Sequence, residues 1–293
     1  MEDEKELKDI VIINHDHCYD GLASAWVAWK RFGNTASYIS QKYSDDNKNI
    51  VAQLVGKEVY ILDFSFPKNE MLEIESKAKK LVVIDHHQSA EETIKSMKEH
   101  VFSLDNSTAY LSWQYFFSDE KIPVVIEYIS DSDTWSHKMP NWQEIESFIY
   151  DDEIEDITFD SFSKIVETLE TKDGFKEALE IGAALRKIIL DKVNYYISNA
   201  RLVNFEGYEV YAIKNSSGDI RAELGHILAE ETNSFALVFY YEQGLWKCSL
   251  RSVRGFDVSK IAVKYGGGGH KTHAAFVVPD GFPVPFMELK EGK

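Results

Sequence analysis

The stretch Lys80-Leu81-Val82-Val83-Ile84-Asp85-His86-His87-Gln88 places four consecutive apolar residues directly before an acid and two imidazoles. A short apolar run rich in β-branched residues is typical of a strand buried on both faces, as found inside parallel sheets. Such strands deliver the residues that follow them to the carboxyl edge of the sheet, where α/β proteins bind ligands. Carboxylate and neutral imidazole suit Mn²⁺, Zn²⁺ or Fe²⁺. The stretch therefore predicts a metal-binding strand end; the alternative is one buried and one surface histidine.

Two other apolar runs end in the same way. Residues 10–13 lead into the turn Asn14-His15-Asp16-His17-Cys18-Tyr19-Asp20-Gly21, which an Ala-rich helical pattern follows, and residues 58–62 lead into Asp63. A ligand-rich turn at a helix N-terminus favours metals and phosphate together, because the helix supplies free N–H groups and a positive dipole end. The alternative for this turn is an ordinary strand-to-helix connection with Asp20 and Ser24 as caps.

The order of these patterns predicts the fold. Apolar runs alternate with helical patterns, for example at residues 67–79, which indicates a parallel, doubly wound α/β sheet. A mixed segment, residues 124–130, runs into Asp131 and Asp133. Because an acid or a histidine recurs at each predicted strand end, we expect one shared site at the carboxyl edge of the sheet.

The second half of the chain predicts a linker and a smaller domain. Residues 144–200 have a mostly helical pattern, and residues 175–196 form a strong amphipathic helix. Beyond it, strand patterns at 208–213, 235–241 and 246–252 surround a short helical one at 223–228, which indicates an α+β domain. We predict a metal-binding domain with a helical extension at residues 1–198 and a substrate-binding domain at residues 205–293.

Four consecutive glycines lie near the end of the second domain, in Gly266-Gly267-Gly268-Gly269-His270-Lys271. Glycines leave backbone N–H groups unobstructed and allow positive φ, so that a loop can wrap around an anion. His270 and Lys271 add donors and charge. The alternative, a flexible linker, is disfavoured because apolar patterns flank the loop on both sides. Arg251, on an adjacent predicted strand, is positioned to clamp the same phosphate, unless it is simply an exposed strand charge.

Composition limits the partners. The chain has 32 Lys+Arg against 49 Asp+Glu, a formal charge of −17, which disfavours tight binding to duplex nucleic acid but permits a small phosphate substrate. Two cysteines, Cys18 and Cys248, make no framework of disulfides and fit a reducing compartment. No apolar run approaches the roughly 20 residues of a membrane helix, and the acidic N-terminus is unlike a secretory signal. We expect a cytoplasmic protein with no membrane partner.

Taken together and in this order, the motifs resemble the DHH phosphoesterase superfamily. The terminal Gly-Gly-Gly-Gly-His points to the branch with a DHH-associated C-terminal domain, which includes RecJ exonucleases, nanoRNases and cyclic-dinucleotide phosphodiesterases. The resemblance covers roughly residues 10–280. It implies a hydrolase with two metal ions, usually Mn²⁺, acting on short single-stranded oligonucleotides or small nucleotides.

The resemblance also implies roles for individual residues. Asp20 matches a metal ligand, Asp63 the acid that bridges two metals, and His86 a metal-binding histidine. His87 would face the phosphate, and Asp85 would orient an imidazole. A further ligand falls on Asp131 or Asp133, and both stay open. The substrate-binding signature falls on Gly267, Gly268, Gly269 and His270.

One position departs from the family pattern, because Cys18 stands where an Asp is usual. A thiolate is softer than a carboxylate and favours Zn²⁺ or Fe²⁺, so one metal position could differ from the other. His15, Asp16 and His17 are available to compensate. Two alternatives to oligonucleotide hydrolysis remain: hydrolysis of small phosphate compounds such as cyclic dinucleotides or polyphosphate, and an inactive nucleotide-binding sensor.

Overall fold

Five parallel strands form the first sheet within the described chain. The computed structural model describes residues 6–43, 47–151, 157–215, 217–253 and 255–281. The strand order is β2-β1-β3-β4-β5. The strands are β1 Ile10–His15, β2 Ala36–Gln41, β3 Glu58–Leu62, β4 Lys80–Asp85 and β5 His100–Phe102. The predicted parallel α/β architecture is confirmed.

The central strands are buried on both faces because helices cover the sheet from both sides. Along β3 and β4, the side chains of Ile61 and Val83 belong to one hydrophobic cluster. Those of Leu62 and Ile84 belong to another cluster on the opposite face. This alternation follows from the two-residue period of a strand. It explains why these segments have continuous apolar sequences instead of alternating ones.

Helices connect the strands and extend the first unit. They are α1 Tyr19–Phe32, α2 Lys48–Gln53, α3 Lys68–Lys77, α4 Glu91–Lys95, α5 Thr108–Phe116, α6 Val124–Asp133, α7 Trp142–Ile149, α8 Phe159–Leu169 and α9 Lys172–Ile197. Short 3₁₀ turns occupy Gly33–Thr35 and Gln88–Ala90. Within the described residues, no helix combines the length and apolar character needed to cross a membrane.

The segment 124–130 is not a strand, as its position before Asp131 had suggested, but the body of α6. Pro123 precedes the helix, and its missing N–H costs nothing there. The buried residues Val125, Ile126 and Ile129 recur at helical spacing. A seven-residue segment has no length advantage for either structure, and here the packing of α6 against the neighbouring helices decides it.

The second unit contains a mixed sheet of six strands in the described chain, ordered β10-β11-β9-β8-β7-β6. Its elements are β6 Arg201–Phe205, β7 Tyr208–Lys214, α10 Gly218–Thr232, β8 Phe235–Glu242, β9 Leu245–Ser252, α11 Ser259–Lys264, β10 Gly268–Gly269 and β11 His273–Pro279. Gln243 and Gly244 both have positive φ, 52° and 82°, as a two-residue hairpin turn between β8 and β9 requires. The predicted smaller α+β domain is confirmed in its architecture.

The chain divides into two compact units, Met1–Leu185 and Arg186–Lys293. The division falls inside α9, which belongs to both units. The domain limits at residues 198 and 205 therefore stay a prediction, and the last part of the second domain, residues 282–293, lies outside the described residues.

Candidate metal centre

The strand order places the candidate site where the connections of the first sheet diverge. From β1 the chain crosses to β2 on one side and then returns to β3 on the other side of β1. Parallel sheets with this order bind ligands in the crevice at the carboxyl ends of the two strands flanking the switch. His15 ends β1, Asp63 follows β3, and Asp85 ends β4. The three residues therefore meet at one edge.

Asp63 lies at the middle of this edge. It is fully buried, and its backbone has a left-handed φ of 59° while its N–H donates to the carbonyl of Ile84 at 3.0 Å. Its Oδ1 lies 3.5 Å from His86 Nε2. Its Oδ2 lies 3.6 Å from His15 Nδ1. The two oxygens of one carboxylate thus face two different groups of ligands.

The first group combines Asp20, His86 and Asp133, whose ligand atoms all lie within 4.8 Å of one another. His86 Nε2 is 3.0 Å from Asp133 Oδ2 and 3.6 Å from Asp20 Oδ2. Asp20 is held by the N-terminus of α5, where the backbone N–H groups of Thr108 and Ala109 donate to its two oxygens at 2.7 and 2.8 Å. The positive end of α5 therefore fixes this carboxylate, while the remaining lone pairs of its oxygens face the cluster.

The second group combines His15, Cys18 and Asp63, again with ligand atoms within 4.8 Å. Cys18 is the N-cap residue of α1 and is half-buried. Burial and the charge of Asp63 raise the pKa of its thiol well above the usual value. The tight turn between β1 and α1 needs Gly21, because a Cβ at that position would lie 2.3 Å from the carbonyl oxygen of His15. The ring of Tyr43 contacts the His15 imidazole edge-on, with centroids 5.2 Å apart.

Asp85 supports the second imidazole of the triplet. Its Oδ1 lies 2.7 Å from His87 Nδ1 and accepts the backbone N–H groups of His86 and His87 at 2.6 and 2.9 Å. Burial opposes protonation of His87, but the Asp85 charge and hydrogen bond outweigh it and raise the pKa of His87 to about 9. His87 is therefore held as an imidazolium at neutral pH in the absence of metal.

The pKa values of Asp63, Asp20 and His86 are shifted as well. Burial opposes ionisation of Asp63, yet the imidazoles of His15 and His86 hold its pKa well below the usual value. Burial and the charges of Asp63 and Asp133 raise the pKa of Asp20 well above its usual value. Burial is also outweighed at His86, whose pKa the nearby carboxylates raise well above 6.5. The crowded acids thus require positive charge, which protons supply here and which divalent cations supply equally well.

Asp63 Oδ2, His15 Nδ1 and Asp85 Oδ2 are among the buried side-chain atoms that have no hydrogen-bond partner within the described residues. Leaving a buried polar atom unpaired costs about 1–3 kcal/mol. The first two point at each other across 3.6 Å, longer than a hydrogen bond. A cation coordinated by both would satisfy them, and the set of N, O and S donors is one that Mn²⁺, Zn²⁺ and Fe²⁺ accept. The residues therefore fit a divalent metal centre.

Some predicted site residues lie elsewhere. Both oxygens of Asp131 accept backbone N–H groups of the following loop, from Lys138 at 2.8 Å and Met139 at 3.0 Å, and Asp131 joins no ligand cluster of the described chain. In the first motif, His17 Nε2 lies 3.2 Å from Asp16 Oδ2. Of the residues available to compensate for Cys18, the structure brings only His15 into the described clusters.

Thr108 is a site residue that sequence reasoning missed. Its hydroxyl donates to Asp63 Oδ1 at 3.2 Å, in addition to the contact of its amide with Asp20. Ser107-Thr108 before an apolar helical pattern is an N-cap signature, and Ser107 does cap α5. This signal predicts the helix start, but the distant carboxylates that use the helix start are found only in the fold.

In the second unit the glycine loop is built differently from an anion-binding nest. The amides of Gly267 and His270 already donate to the carbonyls of Ala262 and His273 at 2.9 and 2.7 Å. Gly268 and Gly269 form β10, which pairs with β11. Gly267 is needed for this close approach, since a Cβ there would lie 2.0 Å from the carbonyl oxygen of Ala275. The loop thus offers side chains, and not most of its amides, to a ligand.

Arg251 lies in the same sheet, opposite His273 of β11 in the register of β9. It is half-buried, donates to Ser249 Oγ and the Leu250 carbonyl, and makes no ion pair within the described residues. Burial, and then the nearby charge of Arg221, lower the pKa of Arg251 to about 10. Arg221 of α10, whose guanidinium carbon lies 4.1 Å from the centroid of the Tyr240 ring, was not predicted, because no sequence motif marks it.

Comparisons with known proteins agree with these observations. Residues 207–290 match the DHHA1 domain family. The fold resembles that of RecJ from Thermus thermophilus in complex with Mn²⁺, with a TM-score of 0.51 at 13% identity, over 92% of this chain and 49% of that chain. The matched residues include the glycine loop, whose sequence had indicated a DHH-associated C-terminal domain.

Two further proteins are similar to most of this chain. An exopolyphosphatase-related protein from Bacteroides fragilis has a similar fold, with a TM-score of 0.52 at 16% identity, over 92% of this chain and 86% of that chain. The uncharacterized protein R106 of Acanthamoeba polyphaga mimivirus is 28% identical over 282 residues, which cover 89% of this chain. The chain spans 65% of the length of that relative.

Proposed function

We propose that the protein is a two-metal phosphodiesterase that hydrolyses short single-stranded oligonucleotides. The observation that carries the proposal is the position of Asp63, whose two oxygens face separate ligand groups, Asp20–His86–Asp133 and His15–Cys18. Paired cations at such a centre, when bound, polarise a phosphoryl oxygen and lower the pKa of water. We propose Mn²⁺ as the cation, with Zn²⁺ or Fe²⁺ as the alternative on the Cys18 side.

The protein residues then have distinct roles. Asp63 would hold both cations, and Asp133, not Asp131, would be the acid supplied by α6. Asp85 would keep His87 oriented and protonated, since it binds His87 Nδ1 at 2.7 Å. His87 would donate a hydrogen bond from its Nε2–H to a phosphoryl oxygen, where charge develops in the transition state. Thr108 would position Asp63 through its hydroxyl hydrogen bond.

The second unit would bind a phosphate of the substrate. The support is Arg251, a half-buried guanidinium without an ion pair among the described residues, together with His270 and Lys271 of the glycine loop. A buried cation near a second guanidinium is stabilised by an anion. Gly267, Gly268 and Gly269 would shape this loop, and their amides would contribute little.

The formal charge of −17 favours small substrates over long ones. It therefore also supports a second candidate, the hydrolysis of cyclic dinucleotides or polyphosphate at the same centre. An inactive nucleotide-binding sensor is the less favoured alternative, because a sensor has no need for a carboxylate that faces two ligand groups.

The test is incubation of the purified protein with Mn²⁺, alone and together with Zn²⁺ or Fe²⁺, and a ladder of end-labelled RNA and DNA oligonucleotides, from dinucleotides upwards, beside cyclic dinucleotides and polyphosphate. We expect cleavage of the shortest oligonucleotides to be fastest. Preferred cleavage of polyphosphate or of a cyclic dinucleotide would favour the second candidate, and no cleavage of any of these substrates would contradict the proposed activity.

The variant Asp63→Asn isolates the role of the shared carboxylate. Asn tolerates the left-handed backbone at this position, so the variant should fold. We expect turnover to fall by about 10³-fold or more. The matched control is Asp119→Asn, which changes an exposed acid of the same unit and should leave turnover unchanged. Near-wild-type activity of Asp63→Asn in Mn²⁺ would show that this carboxylate does not hold the cations.

A further inference from the structure

The two ligand groups on either side of Asp63 differ in chemistry. Asp20, His86 and Asp133 offer oxygen and nitrogen donors, whereas His15 and Cys18 offer nitrogen and sulfur. Oxygen-rich sites suit Mn²⁺ and Mg²⁺, and a thiolate selects thiophilic cations such as Zn²⁺ and Fe²⁺. The shared carboxylate contributes the same donor type to both sides. The difference between the two sides therefore comes from Cys18.

The Cys18 side has a second feature that indicates a ligand. Asp63 Oδ2, fully buried, faces His15 Nδ1 at 3.6 Å, and neither atom has a hydrogen-bond partner within the described residues. The thiol sulfur lies within 4.8 Å of a donor atom of each. The turn that brings these three residues together is fixed by the close approach of Gly21 to His15. The arrangement is therefore a preformed three-donor set and not an isolated cysteine.

We propose that the two cation positions select different metals: the His15–Cys18–Asp63 position takes a thiophilic cation, Zn²⁺ or Fe²⁺, and the Asp20–His86–Asp133 position takes Mn²⁺ or Mg²⁺. This inference rests on one part of the proposed function, namely that the cluster binds two cations. Binding on the Cys18 side exchanges the thiol proton for the metal: one S–H bond breaks, one sulfur–metal bond forms, and one proton passes to the solvent.

Cobalt(II) is the probe, because thiolate bound to Co²⁺ gives an intense near-ultraviolet charge-transfer band that oxygen and nitrogen ligands do not give. We expect the metal-free protein to develop this band and to saturate it with one equivalent of Co²⁺ per chain. One equivalent of Zn²⁺ should abolish the band, whereas a large excess of Mn²⁺ should leave it. Calorimetry in buffers of different ionisation enthalpy should detect the released proton.

Three variants make the assignment specific. Cys18→Ser should remove the band, and Cys18→Asp should remove it and reduce the preference for Zn²⁺ over Mn²⁺ at least about tenfold. Cys248→Ala is the control, because Cys248 is buried in the core of the second unit and belongs to no ligand cluster of the described residues. This variant should keep the band, and circular dichroism checks that all three are folded.

The possible failures can be told apart. A band that is absent from the wild type, that persists in Cys18→Ser, or that Mn²⁺ displaces as readily as Zn²⁺ overturns the proposed selectivity, whatever the protein hydrolyses. If the band behaves as expected but the protein loaded with Zn²⁺ and Mn²⁺ leaves every phosphodiester intact, the selectivity stands and the proposed function fails.

Discussion

Asp85 Oδ1 contacts both the backbone and the side chain of His87: it accepts the backbone N–H at 2.9 Å and lies 2.7 Å from the imidazole Nδ1. One carboxylate thus fixes the position, the ring orientation and the protonation of one histidine. Outer-shell carboxylates of this kind typically orient the groups that act on a substrate. The relationship makes the protonation of His87 a measurable property of the metal-free protein.

The first prediction concerns pH. The pKa of His87 is raised from 6.5 to about 9 in the folded state, so protonated His87 stabilises the fold fully below pH 6.5. This stabilisation, about 3 kcal/mol at most, is lost as the pH rises through 9. In Asp85→Asn the partner charge is absent, and urea unfolding of the metal-free variant should lose most of this dependence between about pH 6 and pH 9.5. Equal pH slopes for wild type and variant would contradict the Asp85–His87 pairing.

The second prediction separates Asp131 from Asp133. Each oxygen of Asp131 accepts one backbone N–H group, and Asp131→Asn replaces one of these two oxygens by an NH₂ group. We expect the variant to lower the free energy of unfolding by about 1–2 kcal/mol without changing metal affinity. Asp133→Asn should instead weaken Mn²⁺ binding by at least about 100-fold with little effect on folding. Electron paramagnetic resonance titration of Mn²⁺ and urea unfolding measure the two effects. The reverse assignment of effects would make Asp131 the ligand.

The third prediction tests the turn between β1 and α1. Gly21→Ala places a Cβ about 2.3 Å from the His15 carbonyl oxygen, so the helix or the strand end must shift. We expect the free energy of unfolding to fall by about 2–3 kcal/mol and metal affinity to fall with it. The matched control is Gly218→Ala, where a Cβ meets nothing within 4 Å. An unfolding free energy of Gly21→Ala equal to that of the control would show that the turn adapts.

The fourth prediction concerns Arg251. Arg251→Lys keeps the charge but removes the planar fork that binds a phosphate through two hydrogen bonds. We expect KM for oligonucleotides to rise by about 10–100-fold, with kcat changed much less. Arg201→Lys, an exposed arginine of β6 in the same sheet, is the control and should leave KM unchanged. An unchanged KM in Arg251→Lys would remove Arg251 from the proposed phosphate site.

The sequence predicts the centre of the first sheet well because the central strands are buried on both faces. Their continuous apolar runs at β1, β3 and β4 indicate buried parallel strands, and the acids and histidines that follow them indicate the edge of the candidate site. The flanking strands lack this signal: β2 is half-exposed and β5 has three residues. Their positions depend on pairing with the central strands, which no local pattern encodes.

The candidate site, like the sheet, is predictable only where local sequence determines the position of a residue. The residues at the ends of β1, β3 and β4 are found from local sequence, because each follows an apolar run. The choice between Asp131 and Asp133 is not, since two acids two residues apart on a helix point in different directions, and only the packing of α6 selects one. The contribution of Thr108 is invisible for a related reason: it depends on where α5 docks.

Asp63 is a fully buried acid with a left-handed backbone, a conformation that glycine adopts at lower cost than aspartate. Selection of variants for thermal stability alone, without selection for activity, is therefore expected to replace this aspartate early, most readily with glycine. Early replacement of Asp63 in such an experiment would indicate that this residue is retained for function and not for stability.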